Sequence, residues 1–207
     1  MIIDGLKIIG ICGRSGSGKG YVSRMFSLFD IPSVDTDAVY KGIISGGART
    51  ECVGELVSVF GSAIVDDEGN LIKRKLANIV FADGAADKLR MLNQITHKYI
   101  LAETLRILSE YKKIGKKAAI IDAPVLFESG FDYYCDIKIC VTAPEEILLE
   151  RICNRDGIAE FEAKMRLDKQ MTVDRLRHLC DGEIVNDGKT DIIEQIKNII
   201  EQFELDK

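Results

Sequence analysis

The stretch KIIGICGRSGSGKG, residues 7–20, decides the fold of this 207-residue chain. Its first six residues are mostly apolar, which predicts a buried strand, and a helix should open near Gly18 and run to about Phe29. The glycines between them permit backbone angles forbidden to other residues, so that consecutive N–H groups can point inward at an anion. The following helix adds the positive end of its dipole. A glycine loop between strand and helix therefore predicts a phosphate-binding loop.

The residues of this loop and its exit are the candidate ligands of ATP: Gly13, Arg14, Ser15, Gly16, Ser17, Gly18, Lys19, Gly20 and Tyr21. Lys19 is expected to reach the β- and γ-phosphates as a point charge. Arg14 is a large cation inside the loop, and we expect it either to reach a phosphate or the adenine face or to be solvated.

The position after the lysine departs from the usual pattern. A Ser or Thr normally places a hydroxyl on Mg²⁺ there, whereas this chain has Gly20, as adenylate kinases do. The departure predicts that Mg²⁺ is held mainly by phosphates, water and carboxylates. The alternative is a weakened catalyst that still binds nucleotide.

Further strands are predicted outward from the loop, and they alternate with helices. This order predicts an α/β fold, in which a parallel sheet is covered by helices on both faces and ligands gather at the carboxyl ends of the strands. One helix is expected from Pro144 through Arg155, and one charged helix from the polar break at 156–161 to about Cys180. We expect a single P-loop kinase domain whose core is residues 1–38, 116–153 and 181–207, with a helical acceptor-binding region at 39–115 and a lid at 154–180.

Three carboxylates follow predicted strands. Asp35 and Asp37 are two residues apart at the end of the strand 31–35, and alternation would place both on one face. A kinase acting on a hydroxyl needs one carboxylate to accept the proton and others to help hold Mg²⁺. We assign Asp37 as the base and Asp35 to the metal shell, with water between the carboxylate and the ion. Asp122 ends a further strand, the usual place for a Walker-B-like carboxylate, with a helix or turn cap as the alternative.

Two arginines share one face of the helix that precedes the lid, Arg151 and Arg155 at i and i+4. Mobile arginines can neutralise charge on a transferred phosphoryl group, so we predict lid function, favouring Arg155. The alternative is a solvated face that pairs with neighbouring acids. Arg177 is a weaker candidate. His97 could touch the acceptor or be structural, and His178 is interpreted as a surface residue.

The charge, cysteine content and apolar runs of the chain indicate which kinds of partner and compartment to expect. Lys and Arg total 28 against 33 Asp and Glu, a net charge of −5, which does not favour nucleic-acid binding. The six cysteines form no C-x-x-C pair, so buried free thiols are expected. No signal peptide is recognised, and no apolar run approaches the roughly 20 residues that span a bilayer. We therefore expect a soluble cytoplasmic protein without membrane or nucleic-acid partners, as a monomer or small homo-oligomer.

The ordered set of motifs resembles the dephospho-CoA kinase family along nearly the full chain to about Gly188. Besides the phosphate loop, the matching stretches are 34–38, 60–61, 67–71, 80–83, 95–97, 122–128, 135–136, 155–157, 170–171, Arg177 and 186–188. The resemblance implies ATP-dependent phosphorylation of the ribose 3′-hydroxyl of dephospho-CoA, the last step of coenzyme A synthesis. It also implies the three-part organisation of core, acceptor region and lid.

Residue by residue, the resemblance implies that Asp37 is the base and that Asn186 lies near the adenine of ATP. Glu128 and His97 would border the acceptor pocket. Independently of the resemblance, we predict Asp122 and Arg151 as further substrate-binding residues. This chain departs from the family at Gly20-Tyr21, where two hydroxyl residues are usual, and at Arg14, where glycine is usual. Two alternatives stay open: another nucleoside or nucleotide kinase of the same fold, and a nucleotide-binding regulatory protein with little turnover.

Overall fold

The computed structural model describes residues 3–46 and 50–206. In this part of the chain, five parallel strands form one sheet: β1 Lys7–Cys12, β2 Ser33–Asp35, β3 Ala118–Asp122, β4 Ile137–Thr142 and β5 Gly182–Val185. Their order is β2-β3-β1-β4-β5, so the strand that precedes the phosphate loop lies at the centre. The predicted parallel α/β sheet is confirmed.

Helices connect the strands. They are α1 Lys19–Met25, α2 Thr36–Ser45, α3 Glu51–Phe60, α4 Lys73–Val80, α5 Ala86–Lys113, α6 Glu145–Asp156, α7 Glu160–Asp168, α8 Val173–Leu179 and α9 Ile192–Gln202. A 3₁₀ turn, Phe26–Phe29, extends α1 to the end that the sequence predicts.

The chain divides into two compact units. The first unit is Met1–Asp35 with Leu108–Lys207, and the second is Thr36–Ile107. The sheet belongs to the first unit, and α2, α3, α4 and most of α5 belong to the second.

The core of the first unit explains why β1 is nearly all apolar. Ile9 and Ile11 are fully buried and pack in one cluster with Val22 and Phe26 of α1 and Ile196 of α9. A strand at the centre of a parallel sheet is covered on both faces, so it needs a continuous apolar run rather than alternation. This packing fixes the strand whose end carries the phosphate loop.

The second unit has its own core. Cys52, Leu56, Ile64, Leu76 and Ile95 are buried against one another. Such a cluster drawn from several helices gives residues 36–107 an independent hydrophobic centre.

Two predictions of local structure are wrong. Asp37 does not continue the second strand, because β2 ends at Asp35 and α2 begins at Thr36, which places Asp37 in the first turn of a helix. The argument that alternation aligns Asp35 and Asp37 therefore fails. An acid suits this position because the first helical turn carries unpaired N–H groups.

The charged helix predicted to reach Cys180 is two helices, α7 and α8, separated by residues 169–172. The break has a local cause: the Thr172 hydroxyl accepts a hydrogen bond from the N–H of Arg175 and so caps α8.

Candidate active site

The phosphate loop requires glycine at two positions. Gly16 and Gly18 both have φ of 81°, in the left-handed region that side chains rarely adopt. A Cβ atom on Gly16 would lie 2.6 Å from the carbonyl oxygen of Leu148, and one on Gly18 would lie 2.1 Å from Nδ2 of Asn186. Both conformation and space therefore demand glycine here.

Side chains from outside the loop hold two of its carbonyl groups. The buried Asn186 donates from Nδ2 to the carbonyl oxygen of Ser17 at 2.8 Å, and Arg151 donates from Nη1 to that of Gly16 at 3.3 Å. With these carbonyls held outward, neighbouring N–H groups can face a phosphate. The structure thus brings two predicted ligand-binding residues, Asn186 and Arg151, to the loop backbone.

An ion pair with little solvent exposure joins the loop to the sheet. Lys19 at the start of α1 pairs with Asp122 at the end of β3, with side chains 15% and 9% exposed. Asp122 stands beside Asp35 in the register of β3 and β2, so two carboxylates end adjacent strands. A phosphate bound at the loop can therefore compete with the Asp122 carboxylate for the Lys19 ammonium.

The glycine that follows the lysine lies at the same place. A Cβ atom on Gly20 would meet Oδ2 of Asp122 at 3.8 Å and Nη1 of Arg24 at 3.7 Å, which is ordinary contact. The next residue, Tyr21, is exposed.

Arg155 reaches the loop from the end of α6. It donates from Nη2 to the Ser15 hydroxyl at 3.2 Å and from Nε and Nη2 to Asp156 at 2.7 and 2.9 Å. Arg166 of α7 also pairs with Asp156. The hydrogen bond from Arg155, with that from Arg166, holds the pKa of the Asp156 carboxyl far below its usual range. Two arginines and one acid thus form a network at the loop.

Arg14 contacts the carboxyl end of α7. It donates from Nη2 to the carbonyl oxygen of Leu167 in α7 at 2.7 Å, and its Nη1 lies 3.8 Å from Oε2 of Glu145. The side chain is only 11% exposed, so the alternative of a solvated arginine is wrong, and contact with a phosphate or the adenine stays a prediction.

The segment between α7 and α8 also touches the loop. Oε1 of Gln170 accepts the N–H of Ser15 at 2.9 Å. Sequence reasoning assigned no role to Gln170, although it lies in a stretch that matches the family. Nothing in its local pattern signals this contact, since 155 positions separate the two residues.

A cavity of about 260 Å³ opens beside the start of the loop. Its walls come from the loop, from the stretch after β3 and from the segment between α7 and α8: Cys12, Gly13, Arg14, Pro124, Val125, Leu126, Phe127, Glu128, Lys169, Gln170, Met171 and Leu176. Glu128, predicted to border the acceptor, lines this cavity.

Arg177 does not join this group. It donates to Glu183 of β5 from Nε at 3.0 Å and from Nη2 at 2.8 Å, and the Thr142 hydroxyl donates to the same carboxylate at 2.5 Å. Burial works to raise the pKa of Glu183, but these partners hold it below its usual value. The contacts indicate a structural role for Arg177.

His97 lies on α5 within the second unit. Burial lowers the pKa of its imidazole below the usual value. Its neighbour Lys98 pairs with Glu55, which also accepts the Tyr99 hydroxyl at 2.7 Å.

Among the described residues, no cluster of three or more His, Cys, Asp or Glu side chains is arranged to hold a metal ion. Within the same residues, no helix combines the length and apolarity needed to cross a membrane.

A central parallel strand, a glycine loop held at its carbonyls, and a lysine paired with a strand-end carboxylate define a P-loop kinase. The sequence model of dephospho-CoA kinase (CoaE) matches residues 7–191. The chain belongs to the dephospho-CoA kinase family.

Individual relatives agree with this assignment. Over 181 residues the chain is 33% identical to a Bacillus cereus protein named dephospho-CoA kinase, which covers 87% of this chain and 88% of that protein. A Thermus thermophilus crystal structure is similar with a TM-score of 0.77 and 26% identity, over 95% of this chain and 97% of that one. The fold is shared with dephospho-CoA kinase from Campylobacter jejuni, at a TM-score of 0.68, 22% identity, and 96% and 97% coverage.

Proposed function

We propose that this protein transfers the γ-phosphate of ATP to the ribose 3′-hydroxyl of dephospho-CoA and releases coenzyme A and ADP. The observation that carries the proposal is the Lys19–Asp122 pair at the mouth of a glycine loop, in a chain of this family. A lysine held by a carboxylate at a strand end is placed to exchange that partner for the β- and γ-phosphates.

The proposed reaction is an in-line displacement. The 3′-oxygen of the acceptor forms a bond to the γ-phosphorus as the bond to the β-bridging oxygen breaks, and the hydroxyl proton passes to a carboxylate. Asp37 is our choice for that base, because it follows Asp35 by two residues and the chain spans at most about 3.6 Å per residue. Lys19 and Arg155 offset charge on the transferred group.

The donor set fits Mg²⁺. Asp35 and Asp122 offer hard carboxylate oxygens at the ends of adjacent strands, and few protein ligands suit an ion that keeps several waters. When bound, Mg²⁺ would neutralise charge on the nucleotide phosphates. Gly20 supplies no side-chain oxygen, so the carboxylates would hold the ion through water, as we propose for Asp35.

The proposal divides the chain by role. Residues 39–115, with His97, would bind the acceptor, and residues 154–180 would form the lid. The cavity beside the loop supports an acceptor site at Glu128, because it places a carboxylate and the loop on shared walls. Asn186, held at the loop backbone, would lie near the adenine.

The test is ADP release with and without dephospho-CoA, with the product analysed for a new 3′-phosphate by mass spectrometry and ³¹P NMR. Release that depends on dephospho-CoA is expected to fall at least about 10²-fold in Lys19→Ala, because the variant loses the ammonium that follows the γ-phosphate and keeps only the contribution of Arg155. Lys197→Ala is the matched control, since Lys197 lies on α9, outside the proposed site, and forms an exposed pair with Glu194 at 3.8 Å.

Two results would overturn the proposal. Turnover with adenosine or a nucleoside monophosphate but not with dephospho-CoA would indicate another kinase of this fold. ATP binding without turnover on any of these acceptors would indicate a regulatory nucleotide-binding protein.

We propose a cytoplasmic location and no nucleic-acid partner. All six cysteines are free thiols, which suits a reducing compartment. The net charge of −5 supplies no general attraction to nucleic acid. A monomer or small homo-oligomer is the assembly we propose.

A further inference from the structure

Arg14 occupies an unusual environment for a cation. Its side chain is 11% exposed, and its Nε is buried without a hydrogen-bond partner among the described residues. Burying a guanidinium is costly unless its other contacts are strong. Arg14 is the second residue of the phosphate loop. Its charge is offset by contacts through Nη1 and Nη2.

Both remaining contacts lie outside the loop. Nη2 donates to the carbonyl oxygen of Leu167 at 2.7 Å, one residue before the end of α7, and Nη1 faces Glu145 at 3.8 Å. Carbonyl groups in the last turn of a helix carry partial negative charge, and the Leu167 carbonyl accepts the N–H of Gln170 at 3.0 Å as well as the guanidinium. A guanidinium is therefore a strong ligand for the carboxyl end of α7.

The segment that leaves α7 returns to the loop three residues later. Gln170 accepts the N–H of Ser15, the residue that follows Arg14, at 2.9 Å. Gln170 is itself exposed, so packing does not hold it in place. The Leu167 side chain is buried against Leu148 and Ile152 of α6, and the N–H of Gln170 donates to the Leu167 carbonyl at 3.0 Å. Arg14 adds the contact that ties this turn to the phosphate loop.

We infer that Arg14 is a positioning residue of the phosphoryl-transfer site: its guanidinium fastens the carboxyl end of α7 to the phosphate loop and thereby keeps Gln170 on the Ser15 N–H. The Ser15 hydroxyl also accepts a hydrogen bond from Arg155. The contact between Arg14 and α7 therefore holds the lid next to the point where Arg155 reaches the loop. A held lid excludes water from the reacting phosphate. The catalytic part of this inference rests on the proposed kinase function.

The first test needs no turnover. Hydrogen exchange of the amides in residues 164–171 is measured for the native protein, Arg14→Met and Arg175→Met. Methionine keeps an unbranched apolar chain but removes the donors, so exchange should rise about tenfold in Arg14→Met, the factor for one charge-assisted hydrogen bond. Arg175 is an exposed arginine of α8, so its variant should change exchange less than about twofold.

The second test asks whether Arg14 acts through Gln170. In a double-mutant cycle on dephospho-CoA-dependent ADP release, Arg14→Met should lower kcat about tenfold in the native background and less than about twofold in Gln170→Ala. KM for ATP should change less than about threefold, since Arg14 contacts the lid rather than nucleotide. A purely structural role would not make the loss depend on Gln170.

Equal exchange in Arg14→Met and Arg175→Met would overturn the inference. It would also be overturned if Arg14→Met lowered kcat by the same factor with and without Gln170→Ala. A raised KM for ATP with unchanged kcat would assign Arg14 to nucleotide binding instead. If Arg14→Met does not fold, Arg14→Lys keeps the positive charge on a single donor nitrogen and should show an intermediate rise in exchange. If dephospho-CoA is not a substrate, the proposed function fails. The exchange measurement still tests whether Arg14 holds the carboxyl end of α7 at the loop.

Discussion

Replacing Gly20 with serine tests how the site holds its metal. A Cβ atom at this position meets Oδ2 of Asp122 at 3.8 Å and Nη1 of Arg24 at 3.7 Å, so a serine side chain fits without displacement of the backbone. Gly20 has no positive φ, and it lies in the first turn of α1, where serine costs less than glycine. The fold should therefore tolerate the change.

The hydroxyl should strengthen Mg²⁺ binding. It would stand beside the Asp122 carboxylate and offer an oxygen where the native loop offers none. A net gain of about 1 kcal/mol, the usual value of one added polar contact, corresponds to roughly fivefold in affinity. We expect the Mg²⁺ concentration for half-maximal ADP release to fall about fivefold in Gly20→Ser.

Gly20→Ala is the matched control, because it adds the same Cβ and a similar helix propensity without the oxygen. The assay is a Mg²⁺ titration of dephospho-CoA-dependent ADP release for all three proteins. If serine and alanine give the same Mg²⁺ requirement as the native protein, position 20 does not lie near the metal and our placement of Mg²⁺ is wrong.

Three further predictions follow from the site and its surroundings. Asp37→Asn should lower kcat by roughly 10²-fold or more with little change in ATP affinity, as for a lost general base; a larger loss in Asp35→Asn would reverse the two roles. His97 should titrate below 6.5 by NMR. Because the folded state disfavours its charged form, its contribution to stability is complete above 6.5 and declines at lower pH, which thermal unfolding between pH 7 and 5 can measure. Burial raises the pKa of Cys135 to about 12, so iodoacetamide at pH 8 should alkylate it far more slowly in the folded than in the unfolded protein.

The phosphate loop could be predicted from the sequence because its requirements are local. The run before it is apolar since β1 is covered on both faces, and the glycines at 16 and 18 have the positive φ that the motif implies. Family resemblance then identified the acceptor, which no local pattern specifies. These two kinds of inference account for the fold class and the activity we propose.

The two wrong predictions concern the end of β2 and the break between α7 and α8. β2 has three residues, so a D-x-D motif at its end looks the same whether the second acid continues a strand or opens a helix. The break between α7 and α8 carried a readable sign, a threonine at 172 followed by an acid in the first turn, which is typical of a helix start.

The contacts between α7 and the phosphate loop could not be predicted from local sequence at all. Arg14 and Leu167 are 153 positions apart, and the bond between them uses a backbone carbonyl, which exists in every residue. Spacing rules give the face on which a side chain lies, but not which distant helix ends beside it. An arginine inside a phosphate loop is therefore ambiguous until the tertiary structure supplies its partner. Here the partner is the carboxyl end of α7, which is why we infer that this charge positions α7.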